Sequence, residues 1–451
     1  MDARRRLRQI QRLLQNRELI YIGPRGTDAL PLEPLGSLGA VFSLIAPIGS
    51  GLFENCMEII SGVRKDLNGY SLDDDRSEFA AQFREALFAK FSRLSAVVPY
   101  SPSRTLSQGW LMARDIALPL GLFHEQQSCF DYKPWVESEL KGRGIATIPW
   151  TYVRTLGSSS VTGPLDQGIP IVVRWPRSRG GAGIWLIRDR EDLDSVVEPP
   201  LSESLFCVAP YFEAAVSVNV NACVFPGGKV SIHGSSVQLV GIKVCTPRPL
   251  GYAGNDFASI ADLPTEALQN LDSMTRSLGS WLADHGYLGA FGFDALVVED
   301  RVLFVELNPR FQASSAVASQ LDYALGRPDQ YLDHIAVFLG LGVADRLTLP
   351  ELVREQKPLS HVIVYNDSGG TVALRQKPGL EERGIRLLPA PGVVVEPQGT
   401  LAAILLNRRV TNTGRELRED AHTAVLDLLK SFSPTERESG EAPSSSDDLG
   451  K

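Results

Sequence analysis

The chain has no run of about 18 apolar residues, so nothing in it reads as a membrane-spanning helix. It has no C-x-x-C pair. Its five cysteines (Cys56, Cys129, Cys207, Cys223, Cys245) are dispersed, several of them in apolar runs. That pattern argues against a zinc frame or a disulfide scaffold and predicts buried thiols in a reducing, cytoplasmic setting. The histidines, among them His124, His233, His285 and His361, are too scattered to nominate a metal or catalytic cluster. Positive charge is not in surplus either. The net charge is −8, so no broad basic surface asks for nucleic acid. Residues 1–20 lack the apolar centre of a secretory signal. There Arg4, Arg5, Arg6, Arg8, Arg12 and Arg17 alternate with Leu7, Ile10, Leu13 and Leu14 at helical spacing. This predicts a short first helix packed on its own domain, with a targeting or membrane-surface helix as the other reading.

What is present is a chain of 451 residues, 43% hydrophobic, enough for several sizeable cores. At roughly 150 residues per domain, three domains are expected. Residues 1–128 read as α/β. Strands are predicted at Leu19–Gly23, Val41–Ala46 and Ser95–Pro99, with an amphipathic helix from Asp75 to Leu94. In this region Gly23-Pro24-Arg25-Gly26 reads as a structural turn, or as a turn through which Arg25 positions a substrate carboxylate. Residues 129–345 form the central domain. Residues 346–433 read as α+β: a hairpin of His361–Tyr365 and Thr371–Arg375, strands at 392–396 and 401–406, and a helix from Glu416 to Phe432. This last domain is expected to pack on the central one. The tail 434–451 is rich in Ser, Glu, Asp and Pro and is predicted to be disordered.

The central domain carries the most specific signal. Phe291–Val298 and Val302–Asn308 read as a hairpin around Glu299-Asp300-Arg301. With that three-residue loop, Val298 faces Val302, Leu296 faces Phe304, and Asp294 faces Glu306. Opposed residues have Cβ atoms roughly 5 Å apart. Alternation puts Glu306 and Asn308 on one face, with Arg310 beside them. Two carboxylates this close repel each other unless a cation lies between them. Two carboxylates and an amide suit Mg²⁺, which takes oxygen ligands together with phosphate oxygens and water.

This constellation resembles the magnesium-binding end of the ATP-grasp superfamily, which carries an acidic residue and, roughly twelve positions later, Glu-x-Asn-x-Arg. The resemblance covers about residues 129–345. It implies a multi-domain α/β and α+β protein: an ATP-grasp fold with an N-terminal pre-ATP-grasp α/β domain and a C-terminal α+β domain. It also implies that Asp294, Glu306 and Asn308 hold two Mg²⁺ ions, with Mn²⁺ as a substitute, on the phosphates of ATP. Arg310 would stabilise charge on the reacting carboxylate.

Other family positions follow in chain order. Asp131-Tyr132-Lys133 opens a helix, with Asp131 as N-cap and Pro134 in the first turn; Lys133 would grip a phosphate. A buried strand ends in Arg174, where the family usually has lysine. The glycine-rich turn Ser178–Gly183 follows, and Gly180 and Gly181 would close backbone N–H groups over the phosphates. Leu205–Phe212 corresponds to the hinge. Its usual glutamate is Ala209 here and Pro210 removes a donor, leaving backbone groups at Tyr211 and Phe212 for the adenine and Glu213 for the ribose. Loops at 235–239 and 251–257 would face the acceptor substrate.

The implied activity is ATP-dependent carboxylate–amine ligation through an acyl phosphate, with ADP and phosphate released. The carboxylate would be an amino acid or peptide and the acceptor an amine. The residues most resemble stand-alone ligases of secondary metabolism, pheganomycin-type peptide ligases among them. A homodimer is the expected assembly. A phosphotransferase on the same fold and a nucleotide-binding protein without catalysis remain as alternatives.

Overall fold

In the computed structural model, residues 2–46, 55–112, 117–178, 180–199, 204–344, 347–375 and 379–435 are described. The tail predicted to be disordered lies outside these residues beyond Thr435, as does Arg179 in the glycine-rich turn.

The N-terminal region forms a five-stranded, all-parallel sheet. Its order is Asn55–Cys56, Leu38–Ile45, Glu18–Arg25, Ser95–Pro99 and Ala117–Pro119. Leu19–Ile22 and Ser95–Pro99 are buried on both faces, as the covered centre of a parallel sheet requires. The carboxyl ends of its two central strands bring Arg25 and Tyr100 to the edge of a large cleft. Openings of this kind form where parallel strands end. The first helix is Ala3–Leu14, capped by Asp2. It buries Arg6, Ile10 and Leu14, and Arg6 reaches Asp333 at 3.6 Å in the helix Gln330–Phe338. It therefore ties the N-terminal region to the central one.

The central region contributes two sheets. A four-stranded antiparallel sheet orders Thr151–Val153, Phe206–Pro210, Ile171–Arg174 and Ile184–Ile187. An eight-stranded antiparallel sheet orders Arg301–Asn308, Gly289–Val298, Val216–Phe225, Lys229–Val240, Tyr252–Asp256, Ser360–Tyr365, Thr400–Leu406 and Ile385–Arg386. The helix Thr265–Asp284 buries Leu271, Leu278, Trp281 and Leu282 against the large sheet. Each such side chain contributes about 1.5–3 kcal/mol on burial.

Several expectations need correction. Segments 235–239 and 251–257 are mostly strand rather than loop, because each pairs antiparallel with its neighbour in the eight-stranded sheet. The eight-stranded sheet also takes strands from both sides of the expected domain boundary: Tyr252–Asp256 pairs with Ser360–Tyr365, so the C-terminal strands extend the central sheet. The expected hairpin of His361–Tyr365 with Thr371–Arg375 does not form. Val372–Leu374 instead joins a separate small sheet with Val394–Val395 and Phe432–Pro434, whose outer strand is Val63–Arg64. Asn366 turns the chain away, donating its Nδ2 to the carbonyls of Gly370 and Val395. The buried Arg64, paired with Glu58, donates to the carbonyls of Leu387, Leu388 and Thr400 and so fastens the two ends of the chain together. Four cysteines are buried as expected, whereas Cys129 is exposed.

Candidate functional site

The acidic hairpin is built differently from its sequence pattern. Its loop has two residues, not three: Val298 pairs with Arg301, Val297 with Val302, and Leu296 with Leu303. Glu299 turns the chain with a left-handed φ of 54°. This shifts the register by one residue. A bulge between Asp294 and Ala295 shifts it back, because Ala295 pairs with Phe304 while Asp294 pairs with Glu306, leaving Val305 as the extra residue. Val305 and Glu306 consequently both line the cleft, and Asn308 lies opposite Gly292.

Asp294 is the best-supported side chain of the site. Its Oδ1 accepts from Asn219 Nδ2 at 2.8 Å and Gln238 Nε2 at 2.9 Å, and its Oδ2 accepts from Asn308 Nδ2 at 3.3 Å. Burial, and then the Glu306 charge, push its carboxyl up to about 7. A cation between the two carboxylates would relieve both effects. Among the described residues no group of three or more His, Cys, Asp or Glu forms a metal cage. Two carboxylates and one amide are too few to enclose Mg²⁺, but they fit an ion shared with phosphate oxygens and water.

Lys133 stands beside this pair, with Nζ 3.4 Å from Glu306 and donating to the carbonyl of Ser178 at 2.9 Å. Its helix, Lys133–Gly142, is capped at Tyr132 rather than at Asp131, with Pro134 in the first turn as expected. Arg310 follows the strand, outside it. Its Nη1 donates to the carbonyl of Phe311 at 3.2 Å, while its buried Nε has no partner among the described residues. The Gln127 side chain holds this turn by donating to the carbonyl of Pro309 at 3.1 Å.

Arg174 lines the cleft, but its charge is already engaged. It pairs with the buried Glu137, donates to the carbonyl of Val305 at 3.1 Å and stacks 3.7 Å from the Trp150 ring centroid. The turn after it needs its glycines. Gly180 and Gly181 have φ of 55° and 82°, and a Cβ on Gly181 would sit 2.9 Å from Gly251 Cα. At the hinge, Tyr211 and Phe212 line the cleft, whereas Glu213 is exposed and outside its lining. The Phe212 carbonyl accepts from Arg415 at 3.1 Å, and Arg415 also bonds the Tyr211 hydroxyl.

Sequence reasoning missed Asn219, Arg415, Tyr100 and the C-terminal wall formed by Ile363, Tyr365 and Leu387, all of which line the same cavity of about 800 Å³. The alternation of Asn219 and Asn221 with Val218 and Val220 was the available signal for a polar row inside a strand. Nothing local marks Arg415.

No protein-family model matches the chain. One curated relative, an acetyl-CoA carboxylase of Dictyostelium discoideum, is 25% identical over 222 residues, which is 45% of this chain and 9% of that protein. The chain therefore spans less than a tenth of that relative's length. Solved structures are similar over nearly the whole chain. The biotin carboxylase domain dimer of Hydrogenobacter thermophilus 2-oxoglutarate carboxylase, in complex with MgADP, ADP and bicarbonate, has a TM-score of 0.59 at 15% identity, covering 93% of this chain and 91% of that one. Biotin carboxylase from Campylobacter jejuni, in a β,γ-ATP complex, gives 0.58 at 14% identity, covering 93% and 92%. N5-carboxyaminoimidazole synthetase from Staphylococcus aureus with ADP gives 0.55 at 13%, covering 92% and 97%. The chain has the ATP-grasp fold of these enzymes. The neighbours bind ATP or ADP, and in one case its magnesium salt.

Proposed function

We propose that the protein is an ATP-dependent carboxylate–amine ligase working through an acyl phosphate. The observation that carries this reading is the Asp294–Glu306 pair, with Asn308 and Arg310 beside it, on the wall of one cleft that also takes in the glycine turn and the hinge. Asp294, Glu306 and Asn308 would hold Mg²⁺, which would supply charge neutralisation at the γ-phosphate. Lys133 screens the charge of Glu306 and lies against the glycine turn. Arg310, with an uncommitted Nε, would stabilise the oxyanion of the carbonyl under attack. The amine lone pair forms the C–N bond. The bond from acyl carbon to phosphate oxygen breaks onto phosphate, and the surplus amine proton leaves to phosphate or water. The chain needs no side-chain nucleophile for this chemistry; its contribution is position and charge.

An amino-acid or peptide carboxylate, an amine acceptor, a role in natural-product biosynthesis, a cytoplasmic location and a homodimer belong to the same proposal. A second reading is carboxylation of an amine, with bicarbonate as the carboxylate. It is favoured by the near full-length similarity to biotin carboxylase and N5-carboxyaminoimidazole synthetase.

The test is product analysis with Mg·ATP and pooled acids and amines, using Glu306→Gln as control. ADP, phosphate and a new mass equal to two substrates minus water support the ligase. A carboxylated amine formed only with bicarbonate supports the second reading. AMP with pyrophosphate, or a stable phosphorylated product, overturns both.

A further inference from the structure

The cleft extends well past the acidic pair. Its far end is walled by Leu44 and Leu67 from the N-terminal region and by Ile363, Tyr365 and Leu387 from the C-terminal strands. A volume of about 800 Å³ is near the top of the range for single-ligand pockets, which runs to roughly 1,000 Å³. These walls are apolar, and the cations elsewhere on the cleft are not equivalent. Arg104 is drawn off by Asp73 and Asp74. Arg25 is held by Asp28 through Nε and Nη2, and its Nη2 donates to the Tyr100 hydroxyl at 3.3 Å, but none of the hydrogen bonds among the described residues uses Nη1. Its side chain is 12% exposed.

Arg25 and Arg310 both stand by the Tyr100 ring, 5.5 and 6.0 Å from its centroid. The Arg310 charge bears on Asp294. The Arg25 charge bears on Tyr365 of the C-terminal wall, on His361 behind it, and on Tyr252, which the Asp294 charge also reaches. Arg310 thus serves the acidic pair, while Arg25 stands by the same Tyr100 ring with its Nη1 uncommitted among the described residues. Gln312 also lines the cleft, and its Oε1, packed against Gly292, is buried with no partner among the described residues.

Resting on the ligase reading above, we infer that Arg25 binds the carboxylate of the amine substrate. That substrate is therefore an amino acid or a short peptide, with an apolar side chain lying against Ile363, Tyr365 and Leu387. The donor carboxylate sits at Arg310, where it can be activated. The acceptor's amine points towards it. The acceptor's own carboxylate lies beside Tyr100 on the uncommitted Nη1 of the Arg25 guanidinium. A single donor edge, half neutralised by Asp28, suits a carboxylate monoanion better than a phosphate dianion.

The experiment pairs each apolar amino acid with its carboxamide and its decarboxylated amine, following ADP release and product mass in the full chain. Expected is turnover with the acids, at least tenfold lower kcat/KM with the carboxamides, and a KM for the amino acid at least tenfold higher in Arg25→Gln, with the KM for ATP unchanged. Removing Arg25 leaves Asp28 buried without its partner, so the variant Arg25→Gln/Asp28→Asn is made alongside and should show the same KM rise. Equal use of acid and carboxamide would overturn the assignment. So would a lower kcat with KM unmoved in both variants, or a requirement for dicarboxylate donors with any amine. Absence of ADP formation by the unmodified protein with every acid and amine would instead sink the ligase reading itself.

Discussion

Asp294 and Glu306 face each other across the hairpin because two irregularities cancel: a loop one residue shorter than the spacing implies, and a bulge that leaves Val305 unpaired. The bulge moves Val305 and Glu306 onto the cleft together. Bulges commonly re-aim side chains beside active sites, and here one keeps two carboxylates opposed.

Glu306→Gln should abolish ADP formation with Mg·ATP and leave the fold intact, since it removes a ligand charge and keeps the size. Its melting temperature should equal or exceed that of the unmodified protein without nucleotide, because a like charge near Asp294 is lost. Full activity in this variant would remove the metal assignment.

Arg310→Ala should spare ATP binding and stop amide formation. Calorimetric titration with a nonhydrolysable nucleotide, beside product mass spectrometry, separates the two. Loss of nucleotide binding alone would give Arg310 a different role.

Arg174→Ala should destabilise the protein by about 3–5 kcal/mol, the usual result of stripping one partner from a buried ion pair. Glu137 would be left with only the Tyr152 hydroxyl, at 2.7 Å, and Lys133 nearby. Urea unfolding reads this directly. A loss below about 1 kcal/mol would match an exposed pair and contradict the burial of Arg174.

Arg415→Ala should raise the KM for ATP several-fold with little change in kcat. Arg415 holds the hinge by bonding the Tyr211 hydroxyl and the carbonyls of Phe212 and Ala215. An unchanged KM would show that the hinge keeps its shape without the C-terminal contact.

His334 gives a pH dependence. Its Nδ1 accepts from the Ala290 N–H at 2.9 Å and its Nε2 faces the Leu120 carbonyl at 2.9 Å, so the neutral ring is the one that fits. Burial pulls its pKa down from 6.5 to about 4. The unfolded chain then binds the extra proton first, so stability is lost as pH falls from about 6.5 towards 4. Replacing His334 with Gln should flatten the slope of unfolding free energy in that window; an unaltered slope would mean that other groups set it.

The legible parts of the site were those written in neighbouring residues. Alternation along Val302–Asn308 put Glu306 and Asn308 on one face, and the short distance back to Asp294 limited the possible registers. The glycine-rich turn was visible in the sequence, and Gly180 and Gly181 take left-handed φ there. The N-terminal strand Leu19–Ile22 and the strand Ser95–Pro99 were visible as apolar runs. The strands at 229–240 and 252–256 were not, because their cleft faces carry Ser236, Gln238 and Asn255, residues that read as loop until each is seen to have a partner.

The sequence by itself determined the acidic pair, its amide and arginine neighbours, and the buried strands of the N-terminal core, all of which follow from local spacing and burial period. Only the tertiary structure decided that Arg174 belongs to Glu137, that Arg415 reaches Tyr211 across 204 residues, and that the C-terminal strands continue the central sheet to wall the cleft. The physical reason is that a cation's role depends on which partner shares its burial, and that partner is chosen by packing between segments far apart in the chain.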